Sequence, residues 1–248
     1  MAKVTYENET EFAKAWPEMY NKTSREQKAW RIIKTLNDYY GSESKLKKLA
    51  LLDVGASSGI IDNVLAIKFG KVVGTDVDRS AIEFAKKRFE RKNLTFGVES
   101  ALNLNFKDSS FDVVVCTHVY EHVPDPKKLF SEIYRVLKPY GVCYLAAINS
   151  WWPIEPHYKL PFLSWLPKKW ADVYVNVTGK AERYYESPLD FWSLRKLVDK
   201  FRVHDYTAKI ISNPTKHGYP KSWEVLRPLA MTAKYFSPTF FWILEKHE

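Results

Sequence analysis

Between residues 45 and 150, short apolar runs alternate with segments of helical periodicity, and this alternation limits the possible folds more than any other feature. The apolar runs are LALLDVG, KVVGTD, LTFGVES, FDVVVCT and VCYLAAIN. Continuous apolar runs of this length are typical of strands buried on both faces, as in a parallel sheet. Amphipathic segments such as RSAIEFAKKRFERK and PKKLFSEIYRVLK lie between them. The pattern therefore predicts an α/β, doubly wound sheet whose ligands bind at the carboxyl ends of the strands.

Composition indicates a folded, soluble protein. The chain has 248 residues, of which 46% are hydrophobic and 15% aromatic, and this excludes the disordered class. Cys116 and Cys143 lie inside apolar runs, so we expect buried thiols in a reducing cytoplasm rather than a disulfide framework. The segment MAKVTYENETEF lacks the apolar part of a signal peptide, and no apolar run is long enough to cross a bilayer. We therefore expect a cytoplasmic location.

The segment LLDVGASSG predicts a binding turn after the first strand. Gly55 lets the backbone pass close to a ligand, and Gly59 lets a helix begin near the strand. Asp76 ends the second strand, where it can accept hydrogen bonds from ribose hydroxyls. Ser57 occupies the second glycine position of the dinucleotide fingerprint, which disfavours a pyrophosphate ligand. The carboxylate of Asp53 beside this turn instead suits a ligand with an ammonium and a sulfonium, which is S-adenosylmethionine.

Four segments in this order resemble a known enzyme family. LLDVGASSG is similar to the first motif of class I S-adenosylmethionine-dependent methyltransferases of the type 11 group, which includes ubiquinone-, menaquinone- and glycan-type enzymes. VVGTDVD is similar to the second motif, and the segment from ALNLNF to CYLAAIN resembles the rest of the core. The resemblance implies a Rossmann-like, seven-stranded sheet, mostly parallel, with helices on both faces. It also implies one antiparallel strand, formed by the C-terminal PTFFWILEK.

The resemblance further implies which residues bind the cofactor. The methionine portion is expected against the first turn and the adenosine after the second and third strands. The end of the fourth strand is expected to border the methionine portion and the acceptor. In that order the residues are Asp53, Gly55, Ala56 and Gly59; Asp76, Val77, Ser100 and Ala101; and Thr117 and His118. Ser100 replaces the family's usual acidic residue, with Glu99 one position earlier. Ser100 can still form a hydrogen bond, so we expect cofactor binding to be retained.

We expect one domain with four parts: an N-terminal helical lid (1–44), a cofactor-binding core (45–150), an inserted acceptor cap (151–186) and the remainder of the core (187–248). Helical spacing of aromatic and apolar residues begins near residue 9 and continues to residue 40. After the cap, Ser187 and Pro188 are suited to begin a helix over SPLDFWSLRKLVDKF. RVHDYTAKII is then expected as a strand and 222–235 as a helix.

The acceptor is weakly specified, because methyl transfer from a sulfonium mainly requires alignment in a dry site. His157 is the first candidate for a general base and His118 the second, although a structural role for His157 is an open alternative. The tetrapeptide [ND]-P-P-[FYW] is missing after the fourth strand, which argues against methylation of exocyclic amines in nucleic acids. The favoured function is O-methylation of a small molecule, a sugar or a lipid-linked glycan, with S-adenosylhomocysteine as product. Alternatives are a protein or RNA methyltransferase and an inactive, methyltransferase-like binding protein.

The cap is rich in aromatic residues, which either stack on an acceptor or form a small core of their own. They are Trp151, Trp152, Tyr158, Trp165 and Trp170. Its segment LSWLPKKW combines aromatic and basic residues. The chain carries a net charge of +9, with basic residues spread along its whole length. Solvated helix faces account for this charge, and weak attachment to a membrane surface is the functional alternative.

The string H-x-x-E-H, formed by His118, Glu121 and His122, also matches the signature of an inverted zincin. However, the string follows a predicted strand directly, and Pro124 and Pro126 prevent a helix through it. The sequence spacing offers no third ligand. We therefore expect no metal site here, and we expect Glu121 and His122 to brace the loop.

Overall fold

The computed structural model describes residues 17–248. Its α-helices are α1 (Lys22–Tyr40), α2 (Glu43–Leu46), α3 (Ile60–Leu65), α4 (Arg79–Arg88), α5 (Pro126–Val136), α6 (Lys168–Val177), α7 (Phe191–Leu197), α8 (Thr207–Ser212) and α9 (Ala230–Phe236). Its strands are β1 (Ala50–Val54), β2 (Lys71–Asp76), β3 (Leu94–Val98), β4 (Phe111–Thr117), β5 (Leu137–Ile148), β6 (Ile154–Glu155), β7 (Leu160–Pro161), β8 (Phe201–Asp205) and β9 (Thr239–Lys246). Short 3₁₀ helices cover Pro17–Tyr20, Leu163–Trp165, Thr215–His217 and Lys221–Leu229.

Seven strands form one sheet in the order β3-β2-β1-β4-β5-β9-β8. Neighbouring strands from β3 to β5 pair in parallel. β9 pairs antiparallel with both β5 and β8, so within the described sheet it alone runs against the other strands. The predicted fold class is therefore confirmed, including the assignment of the C-terminal segment to the antiparallel strand. The strand order reverses between β1 and β4, which is where such sheets bind ligands.

Helices cover both faces of the sheet, and β4 shows how one strand contributes to both cores. Val113 and Val115 pack in a cluster with side chains of α1 and α3. Val114 and Cys116 point the other way and pack in a cluster with side chains of α5. Successive residues of a strand face opposite sides, so a strand buried on both faces must be apolar throughout. Cys116 and Cys143 are both free and buried, as predicted.

The N-terminal helix has well-defined ends. The Asn21 side chain accepts a hydrogen bond from the Ser24 N–H, and Gly41 ends α1 in the left-handed conformation with φ of 76°. The predicted helix over 9–40 is thus confirmed from residue 22 onward, after a 3₁₀ turn. Its first residues, as far as residue 16, lie outside the described part of the chain. α1 packs against α3, beside the turn that follows β1.

The predicted start of the helix after the cap is wrong. α7 begins after Asp190, whose Oδ1 accepts hydrogen bonds from the N–H groups of Trp192 and Ser193. Ser187 and Pro188 instead lie in the preceding segment, where the Ser187 N–H donates to the Glu121 carbonyl. A carboxylate satisfies two free N–H groups of a helix N-terminus, and this interaction favours the later start.

Two further predicted elements differ from the structure. The strand predicted over RVHDYTAKII ends at Asp205, and α8 begins at Thr207. The Thr207 N–H donates a hydrogen bond to Asp205 Oδ1, and this bond favours the change from strand to helix. The helix predicted over 222–235 consists of the 3₁₀ helix Lys221–Leu229 followed by α9. Pro228 lacks an N–H and cannot continue an α-helical hydrogen-bond ladder, which explains the division.

Residues 151–186 contain the small sheet of β6 and β7, the 3₁₀ helix Leu163–Trp165 and α6. These elements share a small cluster of buried side chains, which includes Tyr158, Leu163, Ala171, Val175 and Tyr184. The division of the chain into lid, core and cap stays a prediction. Within residues 17–248, no helix is both long and apolar enough to span a membrane.

Candidate functional site

The turn after β1 is closely bonded to β2. The N–H groups of Gly55 and Ala56 both donate to the Thr75 carbonyl, at 2.8 and 2.9 Å. Gly55 and Gly59 adopt left-handed conformations, with φ of 86° and 71°, which side chains disfavour. Ser57 is also left-handed, with φ of 50°. This conformation explains why a glycine is favoured at the position that Ser57 occupies.

Asp76 joins this turn to the next helix. Its Oδ2 accepts the Ser57 N–H at 2.8 Å, and its Oδ1 accepts the Asp78 N–H at 2.9 Å. Each carboxylate oxygen retains a lone pair for a further donor. Val77 beside it is 39% exposed, so the end of β2 is accessible to a ligand.

The residues predicted to contact adenine lie next to Asp76. The Glu99 N–H donates to the Asp76 carbonyl at 3.1 Å, which places the end of β3 alongside the end of β2. Ser100 is exposed and Ala101 half-buried, immediately after this contact. The structure therefore brings Asp76, Val77, Ser100 and Ala101 to one accessible edge, although their binding role stays a prediction.

Asp53 belongs to a buried group of charged side chains that the sequence alone did not reveal. Asp53 is 2% exposed, and its Oδ1 accepts no hydrogen bond from the described residues. Burial, followed by the charge of the neighbouring Asp62, raises the pKa of Asp53. Burial also raises the pKa of Asp62 to about 7. The nearby cation is Arg25 of α1, whose charge acts against both upward shifts.

Neither Arg25 nor Asp62 was among the predicted site residues. Asp62 is fully buried in α3, IIDNVL, whose other residues are apolar except Asn63. A single acid in such a segment is the sequence signal that could have identified it. Arg25 has no comparable signal, because its proximity to Asp53 depends on how α1 packs.

Two segments pack over the turn after β1. The Ser58 hydroxyl donates to the Met19 carbonyl at 2.5 Å, so the chain before α1 covers the start of α3. On the other side, a Cβ at Gly55 would lie 2.6 Å from Val119 Cγ2. Gly55 is therefore required for the loop after β4 to approach the loop after β1.

The predicted residues Thr117 and His118 lie at the end of β4, next to β1. Val54 and Cys116 are paired across the two strands, so the Asp53 and Thr117 ends share one edge. His118 has a left-handed φ of 55°, and its N–H donates to the Ala146 carbonyl at 2.9 Å. Its Nδ1 lies 3.5 Å from Glu121 Oε1. Unfavourable backbone conformations of this kind concentrate at functional sites.

The structure brings a further histidine beside Glu121 and His122, and the expectation that this loop holds no metal stays a prediction. His157 of the cap reaches them, and ligand atoms of the three residues lie within 4.8 Å of one another. The rings of His122 and His157 are 4.9 Å apart and nearly perpendicular. His157 is distant along the chain, so sequence spacing could not reveal the group.

Besides Glu121, two further carboxylates approach these histidines. His157 Nδ1 lies 2.9 Å from Glu155 Oε1, and His122 Nδ1 lies 3.8 Å from Glu186 Oε1. Burial lowers the pKa of His122 to about 4. For His157, burial lowers the pKa, but the hydrogen bond to Glu155 and the charge of Glu186 leave it raised overall.

The cap aromatics divide into two groups. Tyr158 is buried and packs edge-on against Tyr184, so it belongs to the small core of the cap. Trp151, Trp165 and Trp170 are exposed. Trp151 contacts Trp192 of α7 at the end of β5, with ring centroids 5.0 Å apart.

The strand order, the glycine turn after β1 and the acidic residue at the end of β2 together define the class I methyltransferase fold. Residues 52–145 match the type 11 family of methyltransferase domains. This segment is therefore similar to the methyltransferase domains of that family.

Curated relatives match the same region. The chain is 31% identical over 113 residues to a ubiquinone biosynthesis O-methyltransferase of Coxiella burnetii, covering 45% of this chain and 48% of the relative. It is 35% identical over 106 residues to the enzyme of the same name from Haemophilus ducreyi, covering 40% and 45%. The chain thus spans about half the length of the curated relatives it matches.

Solved structures share the fold over more of the chain. An S-adenosylmethionine-dependent methyltransferase from Mesorhizobium loti has a TM-score of 0.57 at 14% identity, covering 81% of this chain and 92% of the other. A chain from the Haloferax volcanii complex between the Trm112 methyltransferase activator and a methyltransferase described as putative has a TM-score of 0.58 at 17% identity, covering 96% and 98%. At these identities the similarity shows the fold alone.

Proposed function

We propose that the protein is an S-adenosylmethionine-dependent methyltransferase that methylates an oxygen atom of a small molecule, a sugar or a lipid-linked glycan. One observation carries the proposal. The buried Asp53 carboxyl, the left-handed Gly55 turn and the Asp76 carboxylate lie at adjacent strand ends of a methyltransferase fold. Cytoplasmic location remains part of the proposal.

The chemistry of these residues suits this cofactor. A buried carboxylate with an oxygen that accepts no hydrogen bond from the described residues favours a cationic partner, as the cofactor's ammonium provides. Asp76 can accept from two ribose hydroxyls, and the accessible Ser100 and Ala101 leave room for adenine. When bound, the cofactor supplies a methyl group on a sulfonium.

In the reaction, the acceptor oxygen forms a bond to the methyl carbon as the carbon–sulfur bond breaks. The electron pair of that bond remains on sulfur, giving S-adenosylhomocysteine, and the hydroxyl loses one proton. His118 stands at the end of β4, and His157 of the cap packs against His122, four residues further along the same loop. Both histidines are therefore the candidate acceptors of that proton. The segments around Met19 and Val119 cover the turn and help to exclude water.

The acceptor class is supported by two observations. The matched relatives are named as O-methyltransferases that act in ubiquinone biosynthesis. In addition, Trp151, Trp192 and Phe236 present exposed ring surface at the end of β5. Flat aromatic surfaces bind phenolic rings and sugar faces well.

Two measurements test the proposal. Calorimetry should show binding of S-adenosylmethionine, and labelled cofactor should transfer methyl groups to a member of a panel of phenols, sugars, lipids, RNA and proteins. Transfer to an RNA or a protein alone would overturn the acceptor class. Absence of cofactor binding would overturn the proposed enzymatic activity and favour a methyltransferase-like binding protein.

We further propose weak attachment of the cap to an anionic membrane surface, where lipid-linked acceptors are found. Trp170, Val173 and Val177 form an exposed apolar stripe on α6, and Trp165 is exposed just before it. Lys168 and Lys169 begin the same helix, in a chain of net charge +9. An apolar stripe next to basic residues is typical of helices that lie in a membrane interface.

Co-sedimentation with phosphatidylglycerol vesicles tests this attachment. We expect the wild-type protein to bind at low salt and a Trp165→Glu, Trp170→Glu double variant to lose binding. Tyr140→Glu is the matched control, because Tyr140 is 59% exposed near the opposite end of β5. Equal binding of the wild-type protein and the double variant would contradict the proposed surface.

A further inference from the structure

Asn149 follows β5 and is buried at the carboxyl edge of the sheet. Its side-chain amide donates to the Tyr235 carbonyl at 2.8 Å and to the Ser237 carbonyl at 2.9 Å. Its Oδ1 accepts a hydrogen bond from the Trp151 N–H at 3.0 Å. An amide group has two N–H hydrogens, so this side chain has both of them in use. One residue thus joins the segment after β5 to the end of α9.

Four aromatic rings, which we call the aromatic surface, lie in the two segments that Asn149 joins and in α7 beside them. They belong to Trp151, Trp192, Tyr235 and Phe236. The Trp151 ring lies 5.0 Å from Trp192 and 5.7 Å from Phe236. Trp192 is stacked on Tyr235, with ring centroids 5.5 Å apart and an interplanar angle of 6°. The rings therefore contact one another, although they come from three segments of the chain.

The aromatic surface is open to solvent close to the end of β4. Three of its rings, those of the two tryptophans and Phe236, are between 41% and 53% exposed. Thr117 at the end of β4 pairs with Ala146 of β5. Asn149 lies only three residues after Ala146, which is about 10 Å along an extended chain. The aromatic surface therefore borders the edge of the sheet at which methyl transfer is proposed.

The hydrogen bonds of Asn149 fix the backbone from which these rings extend. The Trp151 N–H and the Tyr235 carbonyl belong to residues whose own side chains form part of the surface. The segment before α7 is held at the same point, since the Ser150 N–H donates to the Leu189 carbonyl at 3.1 Å. Buried polar groups with all their hydrogen bonds formed specify one arrangement of the groups that they connect. Loss of the Asn149 amide would leave these backbone groups to water and release the rings from one another.

We propose that Asn149 is a positioning residue that holds the aromatic surface in the shape that binds the acceptor. Its amide is buried and fully engaged, so it acts through the rings and not by contact with the acceptor. The rings bind a flat face of the acceptor by stacking. Because methyl transfer depends on alignment, displaced rings would also misalign the reacting oxygen. This inference rests on the proposed methyl transfer and identifies residues of its acceptor site.

Binding of a planar probe, β-naphthol, tests the aromatic surface. Protein labelled with fluorotryptophan gives a fluorine NMR resonance for each indole, and the variants Trp151→Phe and Trp192→Phe identify the two resonances of the surface. In the wild-type protein, β-naphthol should shift both of them. Asn149→Ala and Trp192→Ala should each weaken β-naphthol binding by about threefold or more, because ring contacts are lost. Unshifted resonances in the wild-type protein would overturn the surface as a binding site.

Asn93→Ala is the matched control for Asn149→Ala. The Asn93 side chain also donates to two backbone carbonyls, those of Ala66 and Phe69 at 2.8 and 2.9 Å, but it directly precedes β3. The Asn93→Ala protein should therefore lose stability and keep its affinity for β-naphthol. Trp30→Ala is the control for Trp192→Ala, because Trp30 is an exposed tryptophan of α1. An equal loss of β-naphthol affinity in Asn93→Ala and Asn149→Ala would contradict a specific role of Asn149.

A titration with S-adenosylmethionine separates this inference from the proposed function. Asn149→Ala should keep the cofactor affinity of the wild-type protein, and this also shows that the variant is folded. Cofactor binding with unchanged β-naphthol affinity in Asn149→Ala would overturn the positioning role and leave the methyltransferase intact. Binding of β-naphthol without cofactor binding by the wild-type protein would overturn the methyltransferase instead. Loss of both affinities in Asn149→Ala would show that Asn149 maintains the fold as a whole, and this outcome would also overturn the positioning role.

Discussion

At the scale of single residues, Asp76 accepts hydrogen bonds from the backbone and is also the proposed ligand of the ribose. Its carboxylate already bonds two backbone N–H groups, and the proposed ribose contacts add to these. We expect Asp76→Ala to weaken S-adenosylmethionine binding by roughly 10- to 100-fold, because hydrogen bonds to a charged group contribute about 1.5–3 kcal/mol. Calorimetry measures the change.

The control for Asp76 is Asp125→Ala. Asp125 also accepts a backbone N–H at a helix start, that of Lys128 at 3.0 Å, but it lies at α5 rather than at β2. The Asp125→Ala protein should lose some stability and keep its affinity for S-adenosylmethionine. An Asp76→Ala protein with unchanged affinity would refute the ribose assignment.

Asp62 should make stability depend on pH in a predictable direction. Burial raises its pKa from 3.8 to about 7, so between these values the folded protein holds a proton that the unfolded chain releases. The free energy of unfolding should therefore fall as pH rises from about 4 toward 7. Urea unfolding at several pH values, without cofactor, measures this dependence. Asp62→Asn removes the titration of this carboxyl and should make the profile shallower, with the remaining slope coming from Asp53, whose pKa burial also raises. Identical profiles for both proteins would contradict the explanation.

Apart from His157, the site residues that the sequence predicted are those whose positions follow from strand ends and from the turns after them. Asp53, Asp76 and Thr117 each close an apolar run, and the carboxyl ends of parallel strands meet at one edge. Arg25 and His157 come from outside the alternating core. Their contacts depend on how α1 and the cap pack, which no local pattern records.

At the scale of elements, Gly59 determines how closely α3, α4 and β3 can approach. A Cβ at Gly59 would lie 2.7 Å from both Ala85 Cβ and the ring of Phe96. A left-handed side-chain residue costs roughly 1–2 kcal/mol, and overpacking adds about 1–3 kcal/mol. We therefore expect Gly59→Ala to lose about 2–5 kcal/mol of unfolding free energy, measured in urea.

The variant Gly179→Ala measures the free-energy cost of a left-handed backbone conformation without close packing. Gly179 has nearly the same φ, 68°, but a Cβ there would meet nothing within 4 Å. This variant should lose only about 1–2 kcal/mol. If both glycine variants lose the same free energy, the close packing around Gly59 is not limiting.

Elements were predictable where hydrophobic pattern and length agreed. β1, β2 and β4 are buried on both faces over most of their length, and α5 has a clear apolar face, so their positions were predicted correctly. β5 begins at Leu137, five residues before the predicted VCYLAAIN, because its first residues lack that continuous apolar pattern. Errors concentrate after residue 186. There the start of α7 depends on hydrogen bonds of the Asp190 side chain, and the end of β8 depends on those of the Asp205 side chain. Such hydrogen bonds compete with the helix or strand propensity of the few residues around them.

At the scale of the whole molecule, Tyr120 connects three distant segments. Its hydroxyl donates to the Ile148 carbonyl and accepts the Leu189 N–H, both at 2.8 Å, and its side chain is fully buried. Tyr120→Phe keeps the ring but leaves both backbone groups unpaired. We expect a loss of about 2 kcal/mol or more in urea unfolding. The exposed Tyr140→Phe should change stability by less than about 0.5 kcal/mol. A similarly small loss for Tyr120→Phe would show that water replaces the bonds.

The position of β9 between β5 and β8 has a consequence for biosynthesis. Translation produces β8 before β9, yet within the described sheet β8 pairs with β9 alone. Until β9 has left the ribosome, β5 therefore exposes an unpaired apolar edge and β8 has no strand partner. Exposed edges of this kind promote association between nascent chains. β9, the last strand of the described sheet in chain order, thus determines how long this edge stays unpaired during synthesis.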